Sequence, residues 1–140
     1  MRIAIVSAPS NSVLSNRGEA PDYVQGLAKG MISMGHHVDI IDAWKEDGMR
    51  LPGYEYIAVV TQPISFFSSK IPPVIAKVLA AGSSLVGKKS AAFVKKTGLF
   101  SNYTLGNLMR AMEKEGMRVN WSEILYDEPH AQAIGKRVGV

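Results

Sequence analysis

One polar and aromatic loop holds the residue types best suited to contact a ligand. It runs from Thr61 to Pro73 and directly follows the apolar run Tyr56–Val60. Its hydroxyl and amide groups can form hydrogen bonds, and its phenylalanines offer flat apolar faces. Ligands of open parallel sheets bind beyond the carboxyl ends of the strands. If the apolar run is such a strand, this loop is where a binding site is expected.

The residue types give little indication of a metal site or of nucleophilic catalysis. The chain has no cysteine, which excludes disulfides, thiolate metal sites and cysteine nucleophiles. His36 and His37 follow Gly35 at a turn, and His130 stands alone, so no catalytic triad or metal site is indicated. The sequence therefore points to binding, and it assigns no catalytic residue.

Length and composition indicate a single globular domain over residues 1–140. No apolar stretch is long enough to span a bilayer, and Ser7 and Pro9 interrupt the first apolar run before it could form a signal-peptide core. We therefore expect a cytoplasmic protein with no membrane partner. The formal net charge is +4, but the basic residues are scattered or paired, so no nucleic-acid partner is expected.

Hydrophobic patterns predict five strands that alternate with helices. The strands are expected at Arg2–Ser7, Val38–Asp42, Tyr56–Thr61, Lys88–Val94 and 119–126. Helices are expected from Pro21 to before Gly35, over Ile71–Leu85, around Leu105–Met112 and over Asp127–Val138. Residues 45–53 allow only about one helical turn because glycine and proline break them. This alternation predicts an α/β fold with three layers and a doubly wound parallel sheet.

Several doubly wound classes are excluded by their binding loops. A dinucleotide-binding unit needs glycines after the first strand, and Ser7–Ser12 has none. Gly87-Lys88 opens a strand and Gly135-Lys136 lies in the last helix, so neither forms a P-loop. A phosphoacceptor receiver domain needs acidic residues where this chain has Ser7 and Thr61.

Three segments together resemble the flavodoxin family over nearly the whole chain. The segment Thr61–Phe67, followed by Ile71-Pro72-Pro73, is similar to the family loop in which a small residue, a proline and an aromatic precede the third helix. Gly87–Val94 and Leu105–Val119 are similar to its later strand, loop and helix. The resemblance implies a five-stranded sheet in the flavodoxin-like order 2-1-3-4-5.

The resemblance also implies a bound flavin mononucleotide (FMN) held by three loops. The first loop would hold the phosphate through Ser7, Ser10, Asn11 and Ser12. The other two loops would flank the isoalloxazine ring, and Phe66 or Phe67 and Phe100 or Tyr103 could stack on it. The residues implied for these two loops are Gln62, Pro63, Ile64, Ser65, Phe66, Phe67, Lys96, Thr97, Gly98, Phe100 and Tyr103.

The first loop departs from the family pattern. Ser10 replaces a glycine, Ser12 replaces a threonine, and the following helix is predicted to begin near Pro21, several residues late. Two hypotheses remain open. In one the chain is an FMN-binding redox protein. In the other it is a divergent domain of the same fold that does not bind FMN and serves as a binding or assembly module.

The charge near the ring loops favours one redox role within the first hypothesis. Lys95-Lys96 follows the fourth strand, and cations there would favour an anionic reduced flavin. This indicates NAD(P)H-dependent flavin or quinone reduction more than low-potential electron transfer. A redox partner protein, a nicotinamide cofactor and a homo-oligomer are all compatible with the resemblance.

A weaker resemblance offers a hypothesis from another class. Residues 17–31, followed by Gly35-His36-His37-Val38, are similar to the opening of the acceptor domain of two-domain glycosyltransferases. Those enzymes need a second, nucleotide-sugar domain, and this chain is too short to contain one. An acceptor-like domain is therefore the least favoured alternative.

Overall fold

The computed structural model describes residues 1–9, 20–81 and 84–138. These residues contain one five-stranded sheet with helices packed against it. The strands are β1 (Arg2–Ala8), β2 (His37–Asp42), β3 (Tyr56–Thr61), β4 (Lys89–Lys95) and β5 (Arg118–Leu125). They lie in the order β2-β1-β3-β4-β5, and every neighbouring pair is parallel. The predicted class and strand order are confirmed.

The described residues form four α-helices, of which three connect strands and the fourth follows β5. They are α1 (Asp22–Ser33), α2 (Val74–Ala81), α3 (Ser101–Lys114) and α4 (Glu128–Gly135). The connection between β2 and β3 contains only a short 3₁₀ helix, Leu51–Gly53, as its glycines and prolines predict. None of these helices is long and apolar enough to cross a membrane.

The helices cover both faces of the sheet, which explains why its central strands are apolar at almost every position. On β1, Ile3 and Ile5 face α1 and α4, whereas Ala4 and Val6 belong to the core beneath α2 and α3. All six residues of β3 are buried. Strands buried on both faces show continuous hydrophobic runs because neither face meets water.

Glycines allow α1 and α4 to pack with their backbones almost in contact. A Cβ atom on Gly30 would lie 2.1 Å from the carbonyl oxygen of Gln132. One on Gly135 would lie 2.3 Å from the carbonyl oxygen of Leu27. No side chain fits at these distances, so the two glycines set the spacing of this helix pair.

Two helices are shorter than the sequence patterns predict. The helix predicted over Ile71–Leu85 begins at Val74 and ends at Ala81. A residue that precedes proline avoids the helical conformation, which keeps Ile71 and Pro72 outside the helix. The last helix begins at Glu128, because the Asp127 side chain caps it by accepting the His130 N–H at 2.8 Å.

The sheet order fixes where a ligand would bind. The chain passes from β1 outward to β2 and returns on the other side of β1 to form β3. The strand order therefore reverses between β1 and β3, and the loops that leave their carboxyl ends diverge there. Such a switch point is the usual ligand site of doubly wound sheets.

Candidate functional site

The carboxyl ends of β1 and β3 are joined directly at the switch point. Ala8 lies opposite Thr61, whose buried hydroxyl donates a hydrogen bond of 2.7 Å to the Ala8 carbonyl oxygen. Ser7 is also buried, and by strand alternation its side chain lies on the α1 side of the sheet with Ile3 and Ile5. The floor of the candidate site is therefore well fixed.

Gln62 is the first residue beyond β3, and it contacts the start of α1. The Tyr23 hydroxyl donates to Gln62 Oε1 at 3.1 Å, and the Lys95 ammonium lies 6.0 Å from the centre of the Tyr23 ring. Burial raises the pKa of the Tyr23 hydroxyl well above its ordinary value, so it stays protonated and keeps its role as a donor. Tyr23 thus connects α1 to the ends of both β3 and β4.

The loop after β3 is closed by its own hydrogen bonds and displays two aromatic rings. The Ile64 N–H donates to the Lys70 carbonyl at 3.3 Å, and the Ser68 N–H donates to the Ser65 carbonyl at 3.2 Å. Phe66 and Phe67 are 54% and 74% exposed, and their ring centres lie 5.0 Å apart in an edge-to-face arrangement. Neither phenylalanine packs into the core.

The loop after β4 touches this aromatic loop through Gly98. Gly98 has φ +68°, and a Cβ atom there would lie 2.0 Å from the Phe66 carbonyl oxygen. The Leu99 N–H donates to that same carbonyl at 3.2 Å. Only glycine fits this position, because both the backbone conformation and the contact exclude a side chain.

The start of α3 holds the loop after β4 in place through hydrogen bonds. The Ser101 hydroxyl donates to the Thr97 carbonyl at 2.9 Å, and the Thr97 N–H donates back to that hydroxyl at 3.0 Å. Further along α3, the Asn107 amide donates to the Ser69 carbonyl at 2.8 Å. Phe100 is the N-cap residue of α3 and Tyr103 lies in its first turn, and both are exposed.

The structure brings most of the predicted site residues to this end of the sheet, with different exposures. Ile64, Ser65, Phe66, Phe67, Phe100 and Tyr103 are exposed, as is Lys96, whose ammonium donates to the Gly98 carbonyl at 3.1 Å. Gln62, Thr97 and Gly98 are half-buried. Pro63 and Ser7 are buried. Ser10, Asn11 and Ser12 lie outside the described residues.

Sequence reasoning misses two residues that organise the site. Tyr23 has no place in the predicted site, although an aromatic in the first turn after Pro21-Asp22 lies at the carboxyl end of the sheet once α1 is placed. Asn107 gives no signal, because its partner is a backbone carbonyl distant in sequence. Contacts to backbone carbonyls depend on loop geometry that residue types alone do not reveal.

A separate cavity of about 470 Å³ lies between the loop after β2 and helix α2. Trp44 and Val78 belong to its wall, and Lys45 and Lys77 line it from opposite sides. The Trp44 indole N–H donates to the Pro9 carbonyl at 2.8 Å, so this wall is fixed to the end of β1. The predicted ring residues do not line this cavity.

Comparisons with solved structures agree on the architecture. Oxidised flavodoxin 1 from Bacillus cereus is 16% identical, with a TM-score of 0.67 over 96% of this chain and 95% of its own. A flavodoxin from the domain Archaea is 19% identical, with a TM-score of 0.69 over 99% and 96%. A WrbA-like protein from Agrobacterium tumefaciens is 18% identical, with a TM-score of 0.66 over 98% and 94%.

The chain has the flavodoxin-like fold. Identities this low establish the fold alone. No protein-family profile matches the sequence, and no curated protein matches it. The site must therefore be judged by its own residues.

The ring half of an FMN site fits the residues of the flavodoxin-like domain. Both loops present exposed aromatic rings, and the close approach of Gly98 to Phe66 holds them at the switch point. The start of α1 fits a phosphate less well. Its N-cap residue is Pro21, no side chain of the described residues caps it, and the Asp22 carboxylate stands in its first turn. A carboxylate there offsets the favourable end of the helix dipole for a second anion.

Proposed function

We propose that the chain binds FMN at the carboxyl ends of β1, β3 and β4 and serves as a flavin-dependent redox protein. The contact between Gly98 and Phe66 carries this proposal, because it joins two aromatic loops at the switch point of the sheet. Similar structures include an oxidised flavodoxin and a two-electron reduced one, so redox chemistry occurs on this fold.

In this proposal the aromatic loops hold the isoalloxazine ring. Phe66 or Phe67 packs on it from the loop after β3, and Phe100 or Tyr103 packs on it from the start of α3. Offset stacking of this kind contributes about 0.5–1.5 kcal/mol per aromatic pair beyond the area buried. The polar edge of the ring is contacted by Gln62, Ser65 and Thr97, whose side chains lie along the same two loops.

The phosphate is assigned to the loop after β1. Ser10 and Ser12 supply hydroxyl donors, Asn11 supplies an amide, and Ser7 closes the site from the end of the strand. Hydroxyl and backbone N–H donors suit a phosphate dianion. Because Asp22 opposes a second anion at the start of α1, this loop must supply most of the phosphate affinity.

When bound, the flavin would supply one- or two-electron redox chemistry. The contribution of the protein is electrostatic, through Lys95 and Lys96 at the end of β4. Lys96 donates to the Gly98 carbonyl at 3.1 Å, and so its charge lies within the proposed ring loop. A fixed cation beside the ring favours the anionic reduced flavin, which suits two-electron reduction of a quinone or a flavin by a nicotinamide donor.

A paired titration tests the proposal. FMN and riboflavin share the ring and differ by the phosphate, and quenching of flavin fluorescence reports the binding of each. We expect both flavins to bind and FMN to bind more tightly. The loops after β3 and β4 would contact the ring that both flavins share, whereas the loop after β1 would contact the phosphate, which only FMN has. Failure of both flavins to bind at micromolar concentration would contradict the proposal.

The second candidate function is a binding or assembly domain without FMN. The Asp22 carboxylate in the first turn of α1 favours it, since a negative charge stands beside the proposed phosphate position. An Asp22→Asn variant separates the two candidates. FMN binding that strengthens in this variant indicates a phosphate near α1, whereas neither form binding FMN supports the second candidate.

A further inference from the structure

The acidic residues are distributed very unevenly along this chain. No Asp or Glu occurs between Glu55 and Glu113. The same stretch contains seven basic residues, Lys70, Lys77, Lys88, Lys89, Lys95, Lys96 and Arg110. It forms β3, α2, β4 and most of α3, together with both aromatic loops. Every Asp, Glu, Lys or Arg position in this stretch is therefore basic.

Three of these cations belong to the loops that follow β3 and β4, or to the end of β4 itself. Lys70 belongs to the loop that carries Phe66 and Phe67, because its carbonyl accepts the N–H of Ile64. Lys95 and Lys96 end β4 and begin the next loop. The Lys96 ammonium donates to the Gly98 carbonyl, and the Lys95 ammonium donates to the Lys96 carbonyl at 3.4 Å. We call these three lysines, together with the exposed rings and the exposed Leu99, the cationic aromatic face.

The described carboxylates do not neutralise this face. The ion pairs in the described part of the chain join Lys29 to Glu128, His37 to Asp39 and Arg50 to Glu46. None of them includes a lysine of the cationic aromatic face. Asp127 follows the neighbouring strand β5, but its carboxylate caps α4. The charge of the face is thus left for a partner to complement.

The face is also apolar enough to be a contact surface. Phe67 is 74% exposed, Tyr103 is 69% exposed and Leu99 is 61% exposed. Clustered exposed apolar residues mark interaction sites, and aromatic residues are enriched in protein interfaces, whose rims are polar. Charge complementarity then decides the sign of the partner.

We propose that the cationic aromatic face docks a protein partner that presents an acidic surface with exposed apolar side chains. The proposal rests on the charges and exposures of the chain without flavin, so it does not require that FMN binds. A single-stranded nucleic acid is less favoured, because its binding uses a cationic groove that follows the backbone, and this face has only three lysines in two separate segments.

A peptide probe tests this without knowledge of the natural partner. The probe is a fluorescein-labelled peptide of repeated Glu-Glu-Phe-Glu units, and its binding to the full chain without added flavin is followed by anisotropy. Repeated Glu-Glu-Gly-Glu and Lys-Lys-Phe-Lys peptides test the apolar and charge contributions. We expect the first peptide to bind most tightly and the lysine peptide not to bind.

Matched charge reversals locate the binding. Lys70→Glu with Lys96→Glu changes the face, whereas Lys89→Glu with Arg118→Glu makes the same net change at the amino ends of β4 and β5. At physiological salt remote charges are screened beyond about 8 Å. We therefore expect an affinity loss of about tenfold in the first variant and less than about twofold in the second.

The outcomes that overturn the proposal are distinct. Equal losses in both variants mean that net charge alone drives binding. Tighter binding of a labelled single-stranded RNA, lost in the first variant, assigns the face to nucleic acid. Lys70→Gln with Lys96→Gln, a milder change, repeats the test if the reversed variant fails to fold. None of these results depends on FMN, so loss of the proposed cofactor function would leave this inference standing.

Discussion

Single side chains at the switch point divide into those that hold the loops and those that face outward. Thr61 and Tyr23 are buried and hydrogen-bonded, and each connects two elements. Phe66, Phe67 and Tyr103 are exposed and form no side-chain hydrogen bond among the described residues. The first group can be expected to affect stability when mutated, and the second to affect ligand binding.

Truncation of an exposed ring should therefore weaken flavin binding without unfolding the protein. We predict that Tyr103→Ala lowers FMN affinity by about threefold to tenfold, since one aromatic contact contributes about 0.5–1.5 kcal/mol. Ile32→Ala is a matched control, because Ile32 is 54% exposed near the far end of α1. Fluorescence titration measures both variants, and an equal effect in the two would argue against ring stacking at Tyr103.

Tyr56 gives a second residue-scale prediction, on pH. Burial raises its pKa to about 12, and its hydroxyl donates to Asn120 Oδ1 at 2.7 Å. The unfolded tyrosine ionises near pH 10, so the unfolded chain releases this proton first as pH rises. Folding stability then falls between about pH 10 and 12, by up to about 1.4 kcal/mol per pH unit for one proton.

Removing the Tyr56 hydroxyl should make folding stability depend less on pH above pH 10. Urea unfolding of wild type and Tyr56→Phe at several alkaline pH values measures it. We expect the variant to be less stable at neutral pH, because Asn120 loses its donor, yet to lose less stability above pH 10. Parallel pH profiles for the two proteins would show that Tyr56 is not held in its neutral form.

At the scale of the elements, close backbone contacts at glycines determine how near loops and helices lie to each other. Gly98 permits the two site loops to touch, and Gly30 permits α1 to approach α4. Both contacts join segments far apart in sequence. Each can be tested against a glycine elsewhere in the chain that lacks the close neighbour.

We predict that Gly98→Ala separates the site loops and lowers FMN affinity by about tenfold or more, because stacking from both loops is then lost. Gly87→Ala is its control, since Gly87 also has positive φ, +78°, but a Cβ atom added there would meet nothing within 4 Å. The control carries the same type of backbone strain without the contact to Phe66. Similar flavin affinities in the two variants would mean that this contact does not organise the site.

We also predict that Gly30→Ala destabilises the fold by about 1–3 kcal/mol or more, as expected for overpacking. Gly53→Ala has open space around the added methyl group and should change the free energy of unfolding by less than about 1 kcal/mol. Urea denaturation of the two variants makes the comparison. A mild effect at Gly30 would show that α1 and α4 can separate without cost.

Sequence patterns predict the elements well and their contacts poorly. β3 is predicted over Tyr56–Thr61 and is observed there, because a strand buried on both faces leaves a continuous apolar run. The pattern places the start of α2 too early, at Ile71 instead of Val74. Hydrophobic spacing reports which residues face the core, but it does not show that a residue before a proline avoids the helical conformation. The junction of Gly98 with Phe66 could not be predicted, because it depends on how two loops fold against each other.

At the scale of the whole molecule, the ring loops and three of the lysines, Lys70, Lys95 and Lys96, lie at or after the carboxyl ends of β3 and β4. The stretch between Glu55 and Glu113 supplies β3 and β4, whose carboxyl ends carry the exposed rings. Acidic residues are confined to the remaining chain. The carboxyl end of a single sheet thus combines the proposed flavin contacts with the proposed partner surface.

The position of bound FMN is the most direct test of the proposed function. Amide chemical shifts of the isotope-labelled protein, recorded with and without saturating FMN, report which residues meet the ligand. We predict the largest changes at residues 62–67 and 96–103 and at the end of β1. Changes confined to the cavity beside Trp44 and Val78, or no changes at all, would contradict a flavin site at the carboxyl ends of β1, β3 and β4.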